Sequence, residues 1–411
     1  MSVNAADTAW LLISAALVML MTPGVALFYG GMVRRKSVLS TITMSFAALA
    51  VVALIWVLYG YSLSFAPDIA GIIGGLDWVG LRQVGQTPSS VYASTVPHLA
   101  FMIFQAMFAI ITVALITGAV VERMKFSAIL VFSVLWLTVV YCPVAHWVWG
   151  SGSWMARLGV LDFAGGIVVH ISAGVSALVL ASLIGPRKGF REKEPMEPNN
   201  IPMVALGAGL LWFGWFGFNA GSALTSGGLA SSAFVTTNIS AAAAAFTWMM
   251  LSWRQQRPSL LGTATGAIAG LAAITPAAGF VPPLSGIPIG IVAALICYYC
   301  MLFRMKRGID ESLDVWAVHG MGGTWGALAT GIFASAAINS AGANGLILGN
   351  ALQLAKQFAG VASVWAFAFI ATWILGKVID VTIGLRVTRT EETVGLDISQ
   401  HGERAYGGVL R

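Results

Sequence analysis

Two histidines, His170 and His319, stand inside long apolar runs at matching places in the two halves of the chain. Each follows an aspartate by a few residues, in Asp162-Phe-Ala-Gly-Gly-Ile-Val-Val-His170 and in Asp314-Val-Trp-Ala-Val-His319. An ionisable side chain in a segment long enough to cross a bilayer is costly to keep there, so a functional role is the default reading. An imidazole can donate at one ring nitrogen and accept at the other. Two facing imidazoles can share one proton and turn their remaining nitrogens toward a small guest, binding an amine or relaying its proton. The competing reading for either residue alone is a buried histidine bonded to a backbone carbonyl. The symmetric occurrence favours the pair.

Aromatic residues gather near the same place. Phe104 and Phe108, four apart in Phe101-Met-Ile-Phe-Gln-Ala-Met-Phe108, share one helix face. Trp149 ends the fourth apolar run, and Phe218 and Ser222 end the sixth in Phe213-Gly-Trp-Phe-Gly-Phe-Asn-Ala-Gly-Ser222. Singly, each is explained by packing or by the aromatic belt of a membrane interface. Together they set π faces and a hydroxyl at the outer ends of three runs, a combination that holds a small cation. Asp162 reads as the N-cap of the fifth run, its carboxylate taking helix-end amides. Asp314, beside Asp310 and Glu311, reads as a cap or a surface pair.

The elements that must position these groups are membrane spans. The 411 residues have a mean hydropathy of +0.85 and only 9% charged residues. Apolar runs of about 20 residues indicate helices rather than barrel strands. The expected fold is an all-α polytopic membrane protein with eleven transmembrane helices. The spans are expected at roughly 8–31, 40–62, 97–120, 126–147, 162–185, 201–220, 228–252, 260–280, 284–304, 315–337 and 356–385. Spans 1–5 and 6–10 form two halves. Five is odd, so the second half runs inverted relative to the first, a plan of many transporters, and the eleventh helix braces the bundle. His170 then lies roughly 12 Å along its helix from one face and His319 roughly 7.5 Å from the other, at 1.5 Å per residue. Residues 1–385 make the transmembrane domain and 386–411 a polar tail, expected to be ordered by turn and cap residues such as Gly395, Asp397 and Gly402.

Charge orients the bundle. With the amino end outside and the carboxyl end inside, only Arg82, Arg157 and Lys356 of the 22 Lys and Arg fall outside. The formal charge of +6 is therefore a topology signal and requires no nucleic-acid partner. The amino end lacks the basic n-region of a cleavable signal peptide. Cys142, Cys297 and Cys300 all lie in apolar runs. The redox spacing of Cys297-Tyr-Tyr-Cys300 has no soluble redox fold around it and reads as packing. The histidines (98, 146, 170, 319, 401) include no helical i,i+4 pair, so neither a metal nor a cofactor is expected, and an enzyme is not indicated.

The long motifs resemble the ammonium transporter (Amt/Mep/Rh) family. They are Asp162 through His170 followed by Gly185-Pro-Arg187, Gly30-Gly-Met-Val-Arg-Arg-Lys36, Phe213 through Ser222, Asp314-Val-Trp-Ala-Val-His-Gly320 and Gly384-Leu-Arg-Val. The intact histidine pair and Trp149 match the bacterial and archaeal Amt branch better than the Rh branch. Trp316 departs from the smaller aromatic common in relatives. The resemblance implies a homotrimer in the plasma membrane, each subunit with its own pore for ammonium or ammonia, with methylammonium as an analogue. It implies that Trp149, Ser222 and Phe108 form the outer ammonium site, with Asp162 beside it and Phe104 on the same aromatic face. Phe108 and Phe218 are implied as a gate, and His170 and His319 as the pore pair. It further implies that the tail, with Gly395, Asp397, His401, Gly402 and Tyr406, packs on the cytoplasmic face and couples to a PII-type (GlnK-like) signalling protein. The alternative is an ammonium sensor acting through a cytoplasmic partner.

Overall fold

The computed structural model describes residues 2–255 and 257–407. Arg411, counted above with the inward charges, lies outside the described residues. Among them, nine helices are long and apolar enough to cross a membrane: Ala5–Met32, Arg35–Phe65, His98–Thr117, Phe126–Leu158, Gly166–Ile184, Ile201–Gly221, Gly228–Gln255, Pro283–Lys306 and Ala351–Thr382. Two more segments complete the set of eleven, numbered here in chain order. Span 8 is the shorter apolar helix Leu260–Ile274. Span 10 is a π-helical turn, Trp316–Met321, continued by the α-helix Gly322–Phe333.

Burial sorts the spans into an inner and an outer set. Of the apolar stretches of spans 3 and 5, 89% and 83% are buried, against 39% for spans 2, 7, 9 and 11. The first pair therefore sits at the centre, and the others turn a face to lipid. Spans 1 and 6, the first helix of each half, pack backbone to backbone. A Cβ on Gly207 would meet the Phe28 amide nitrogen at 2.4 Å, and one on Gly217 would meet the Ser14 carbonyl at 2.8 Å. Small residues at such crossings are how helices gain close packing where no hydrophobic driving force separates them from lipid.

Three details depart from the expected pattern. Span 8 stops at Ile274 rather than near 280, because Pro276 follows two residues later and cannot donate to the helix ladder. The non-helical stretch after it is tolerated because it is buried in protein, where the Pro276 carbonyl accepts from the Phe163 amide at 3.1 Å. The loop between spans 2 and 3 carries two small hairpins, Asp68–Ile69 with Ile73–Gly74 and Pro88–Ser89 with Ala93–Pro97. Span 4 ends its membrane-crossing part at Trp149, and Trp154–Leu158 is a separate short helix.

Candidate substrate pathway

The pathway begins where span 5 starts. The first N–H groups of a helix have no partner within it. Here one side chain takes four: Asp162 Oδ1 accepts from Gly165 and Gly166 at 2.9 and 2.6 Å, and Oδ2 from Ile167 and Val168 at 2.8 and 3.1 Å. Asp162 is buried and does not line the outer cavity. Its backbone carbonyl, however, accepts from the indole of Trp149 at 2.9 Å. Asp162 therefore caps the helix start, though from three residues ahead of the N-cap position itself, Gly165, and its carbonyl also anchors the last residue of span 4.

Above it lies a cavity of about 290 Å³ lined by Phe104, Gln105, Phe108, Trp149, Ser222 and Tyr92, among others. The rings meet edge to face: Phe104 with Phe108 at 4.9 Å between centroids, Phe108 with Trp149 at 6.0 Å and 89°. The Ser222 hydroxyl donates to the Phe218 carbonyl at 2.8 Å, which leaves its oxygen lone pairs as acceptors. Gln105 Oε1 is buried without a partner among the described residues and is a second acceptor. Sequence reasoning passed over Gln105, although a polar amide in the apolar run of span 3 was itself a signal. π faces plus two acceptors suit a small cation that carries N–H donors.

The floor of this cavity is Phe108 stacked on Phe218, 4.2 Å between centroids. Both rings are fully buried. Beneath them is a narrow void of about 10 Å³, lined by apolar side chains such as Ile111, Leu115 and Met21 together with His170, His319 and Trp215. That volume admits one water-sized guest.

The two histidines meet in this void, Nδ1 to Nδ1 at 3.2 Å. One nitrogen must donate and the other accept, so a neutral pair holds a single proton between them. The two Nε2 atoms are then unlike, one an acceptor and one an N–H donor. His170 Nε2 has no hydrogen-bond partner among the described residues. Both residues sit in π-helical turns, Gly166–Ile171 and Trp316–Met321, at equivalent points of the inverted halves. Such turns displace one residue from the α-helical register and re-aim its side chain. Glycine lets the two helices touch: a Cβ on Gly174 would lie 2.2 Å from the Gly320 amide nitrogen. Trp215, also missed from sequence, stands 5.4 Å from the His170 ring and is held by Thr275 through its indole N–H at 2.9 Å.

At the inner end the cap of span 10 is Glu311, which accepts from the amides of Val315 and Trp316 at 3.0 and 3.2 Å. The structural counterpart of Asp162 is thus Glu311. Asp314 takes the surface-pair role, bonded to Arg304 at 2.7 Å. Burial raises the Glu311 carboxyl above the usual range. Burial also disfavours the charged Asp310, but the guanidinium of Arg187 outweighs it and holds the carboxyl below that range. Trp316 presents a buried indole N–H that has no partner among the described residues.

The remaining histidines have local partners. His98 bonds Tyr61, His146 bonds Asp68 and the Ser64 carbonyl, and His401 packs on Phe126. Among the described residues no group of three or more His, Cys, Asp or Glu could hold a metal. The three cysteines are free.

The tail is ordered through its described residues. Arg389–Val394 opens with a capping box between Thr388 and Glu391. Gly395 has φ +105°, and a Cβ there would meet Lys36 at 2.5 Å, so the chain turns against span 2 only with glycine. Asp397 Oδ1 then accepts from the Ser40 amide at 2.8 Å, and Gln400 Oε1 from the Phe126 amide at 3.2 Å. Tail side chains therefore cap the starts of spans 2 and 4. Burial pushes the Asp397 carboxyl up and the His401 imidazole down. Gly402 ends the last short helix at φ +69°, and the Tyr406 hydroxyl donates to Asn199 at 2.7 Å.

Fold and geometry together define a polytopic helical membrane protein with an outer cavity and a small buried void beneath it. The sequence model of the Ammonium Transporter Family matches residues 9–406, and the chain belongs to that family. It is 53% identical over 400 residues to "Ammonium transporter Amt1" of Archaeoglobus fulgidus, covering 97% of this chain and 99% of that one. The crystal structure of Candida albicans Mep2 matches with a TM-score of 0.90 at 39% identity, covering 98% of this chain and 90% of that one. A structure titled "Sensor Amt Protein" matches with a TM-score of 0.88 at 27% identity, covering 96% and 98%. Membership places the protein among transporters rather than enzymes.

Proposed function

We propose that the protein conducts ammonium as ammonia through this passage. Ammonium is collected in the outer cavity, against Trp149, Phe104 and Phe108 and the oxygen of Ser222. It gives its proton to the outer solution there, because an ion entering the dry void would lose several kcal/mol of hydration. Neutral ammonia passes Phe108 and Phe218, accepts from one histidine Nε2 and donates to the other, and takes a proton from the inner solution. Potassium, with no proton to release, is left at the entrance. The observation that carries this reading is the buried histidine pair, 3.2 Å apart in a void of about 10 Å³ under two stacked rings. The experiment is an ammonium-gradient flux assay with purified protein in liposomes. Flux above empty liposomes is expected. Its absence, with ammonium binding retained, would favour a sensor, the reading that the likeness to a sensor protein keeps in view.

Trp149→Leu keeps bulk and removes the strongest π face. Cation–π attraction is worth about 0.5–2 kcal/mol, so apparent affinity should fall by about 2- to 30-fold with the fold intact. Concentration dependence of methylammonium uptake measures it, and an unshifted curve would move the outer site elsewhere.

The basic split supports an outside amino end and an inside carboxyl end in the plasma membrane. A cysteine at Gly227 should then react with an impermeant reagent in intact cells, and one at Arg191 should not. The reverse pattern would invert the inner and outer assignments.

The assembly is read as a homotrimer. An apolar groove beside spans 7 and 9 leaves Asn238 exposed where lipid would have to solvate its amide. A contact between subunits removes that cost. A solution mass of three chains of 43.1 kDa, after correction for detergent, is the expected result.

Residues 386–411 are read as a regulatory tail, through which a PII-type protein acts at the basic inner face. Its support is the pair of caps that the tail lends to spans 2 and 4. Losing one such cap costs about 0.5–2 kcal/mol. Asp397→Ala should therefore change the flux rate while leaving cation selectivity untouched, and unchanged flux would leave the tail structural. Binding of the organism's own PII proteins, measured across their nucleotide states, tests the partner.

A further inference from the structure

A second cavity, of about 530 Å³, opens away from the passage, between the turn that follows span 5 and the start of the tail. Five basic residues line it. Two are committed to carboxylates: Arg187 chelates Asp310 through Nε and Nη2 at 2.9 and 2.8 Å, and Arg386 bonds Glu392 at 2.7 Å. The other three, Lys188, Arg191 and Arg389, form no ion pair among the described residues. Among the described residues Glu192 is the one lining carboxylate outside those pairs, so the cleft keeps an excess of positive charge.

The frame that carries these cations is set in advance. The Lys188 amide donates to Glu392 at 2.5 Å, and its ammonium donates to the Thr393 hydroxyl at 2.8 Å. The turn closes on itself through Phe190 N–H to the Arg187 carbonyl at 3.1 Å and Glu194 N–H to the Gly189 carbonyl at 2.9 Å. Two guanidiniums without ion-pair partners and an ammonium on a hydrogen-bonded frame suit a tetrahedral oxyanion, which guanidinium forks bind in bidentate fashion.

We propose that this cleft binds a phosphate-bearing anion. The cleft starts two residues after the end of span 5 at Ile184 and four after the end of span 11 at Thr382, at the level of lipid headgroups. Basic residues just beyond membrane spans attract anionic headgroups. A free phosphate compound from the adjoining solution has the same chemistry. The site lies off the passage, so it stands or falls independently of the conduction reading.

The test uses the full-length protein purified in neutral detergent. Dissociation constants are measured for dihexanoyl phosphatidylglycerol, for its zwitterionic phosphatidylcholine analogue, and for inorganic pyrophosphate. Arg191 and Arg389 are both exposed, so Arg191→Gln and Arg389→Gln leave the fold intact. Each should weaken binding about fivefold, and the double variant about 25-fold, the effect of about one interfacial charge each. Arg254→Gln with Lys306→Gln, also exposed, removes the same charge elsewhere and should leave affinity within twofold. Loss confined to the anionic lipid assigns a headgroup, and loss for pyrophosphate assigns a soluble anion. The proposal is overturned if neither anionic probe binds more tightly than the zwitterionic lipid, or if the two double variants bind alike.

Discussion

Liposomes carrying His170→Ala or His319→Ala are expected to lose ammonium flux, or its discrimination against potassium, by at least about a hundredfold. The two rings are buried and face one void of about 10 Å³. Removing either ring destroys the Nδ1–Nδ1 bond and enlarges the void. If it stays dry, ammonia keeps only one histidine as a hydrogen-bond partner beneath the phenylalanine stack where it had a donor and an acceptor, and flux falls. If water enters, the barrier that excludes a bare cation falls too. A charge in a dry passage costs several kcal/mol, and about 2.8 kcal/mol of that is a hundredfold. Parallel ammonium and potassium gradients separate the two outcomes. Unchanged flux and unchanged selectivity in both variants would reduce the pair to packing.

The second large effect is expected at Asp162. Its carboxylate satisfies four buried amides at once, and each buried N–H left without a partner costs about 1–3 kcal/mol. Asp162→Ala should therefore destabilise the protein by at least about 3 kcal/mol, while the backbone carbonyl that holds Trp149 remains. Asp162→Asn keeps one acceptor oxygen but turns an amide NH₂ toward two N–H donors, so it should fall between Ala and the parent. Thermal unfolding of the purified variants measures the order. The pattern also distinguishes a cap from a direct substrate contact. An unaltered unfolding midpoint together with lost methylammonium affinity would favour the contact.

These expectations draw on sequence and structure unequally. The cap at Asp162 was legible because an acidic residue a few positions before a glycine-initiated apolar run has few other uses. At the other half the sequence left Asp314 as either a cap or a surface pair; it is the surface pair with Arg304, and the cap is its neighbour Glu311. Both carboxylates precede span 10, and only the path of the intervening turn, where Asp314 has φ +60°, decides which one faces the amides. Gln105 and Trp215 were overlooked because a single amide or indole in an apolar run carries no periodic signal of its own. The ordered tail was foreseen from Gly395, Asp397 and Gly402, yet nothing local could say that Asp397 and Gln400 would cap spans 2 and 4.

What the sequence determined by itself was the membrane class, the eleven helices, the one-sided basic charge and the chemistry-bearing residues. Those follow from local terms: hydropathy, a fixed bilayer thickness and the cost of burying an imidazole. Tertiary structure alone decided the encounter of residues 149 positions apart, the π turns that aim both imidazoles at one point, and the stacking of Phe108 on Phe218. The physical reason is that each depends on how closely two helices approach. That distance is set where Gly174 meets the backbone of Gly320, a contact between segments that no local pattern records.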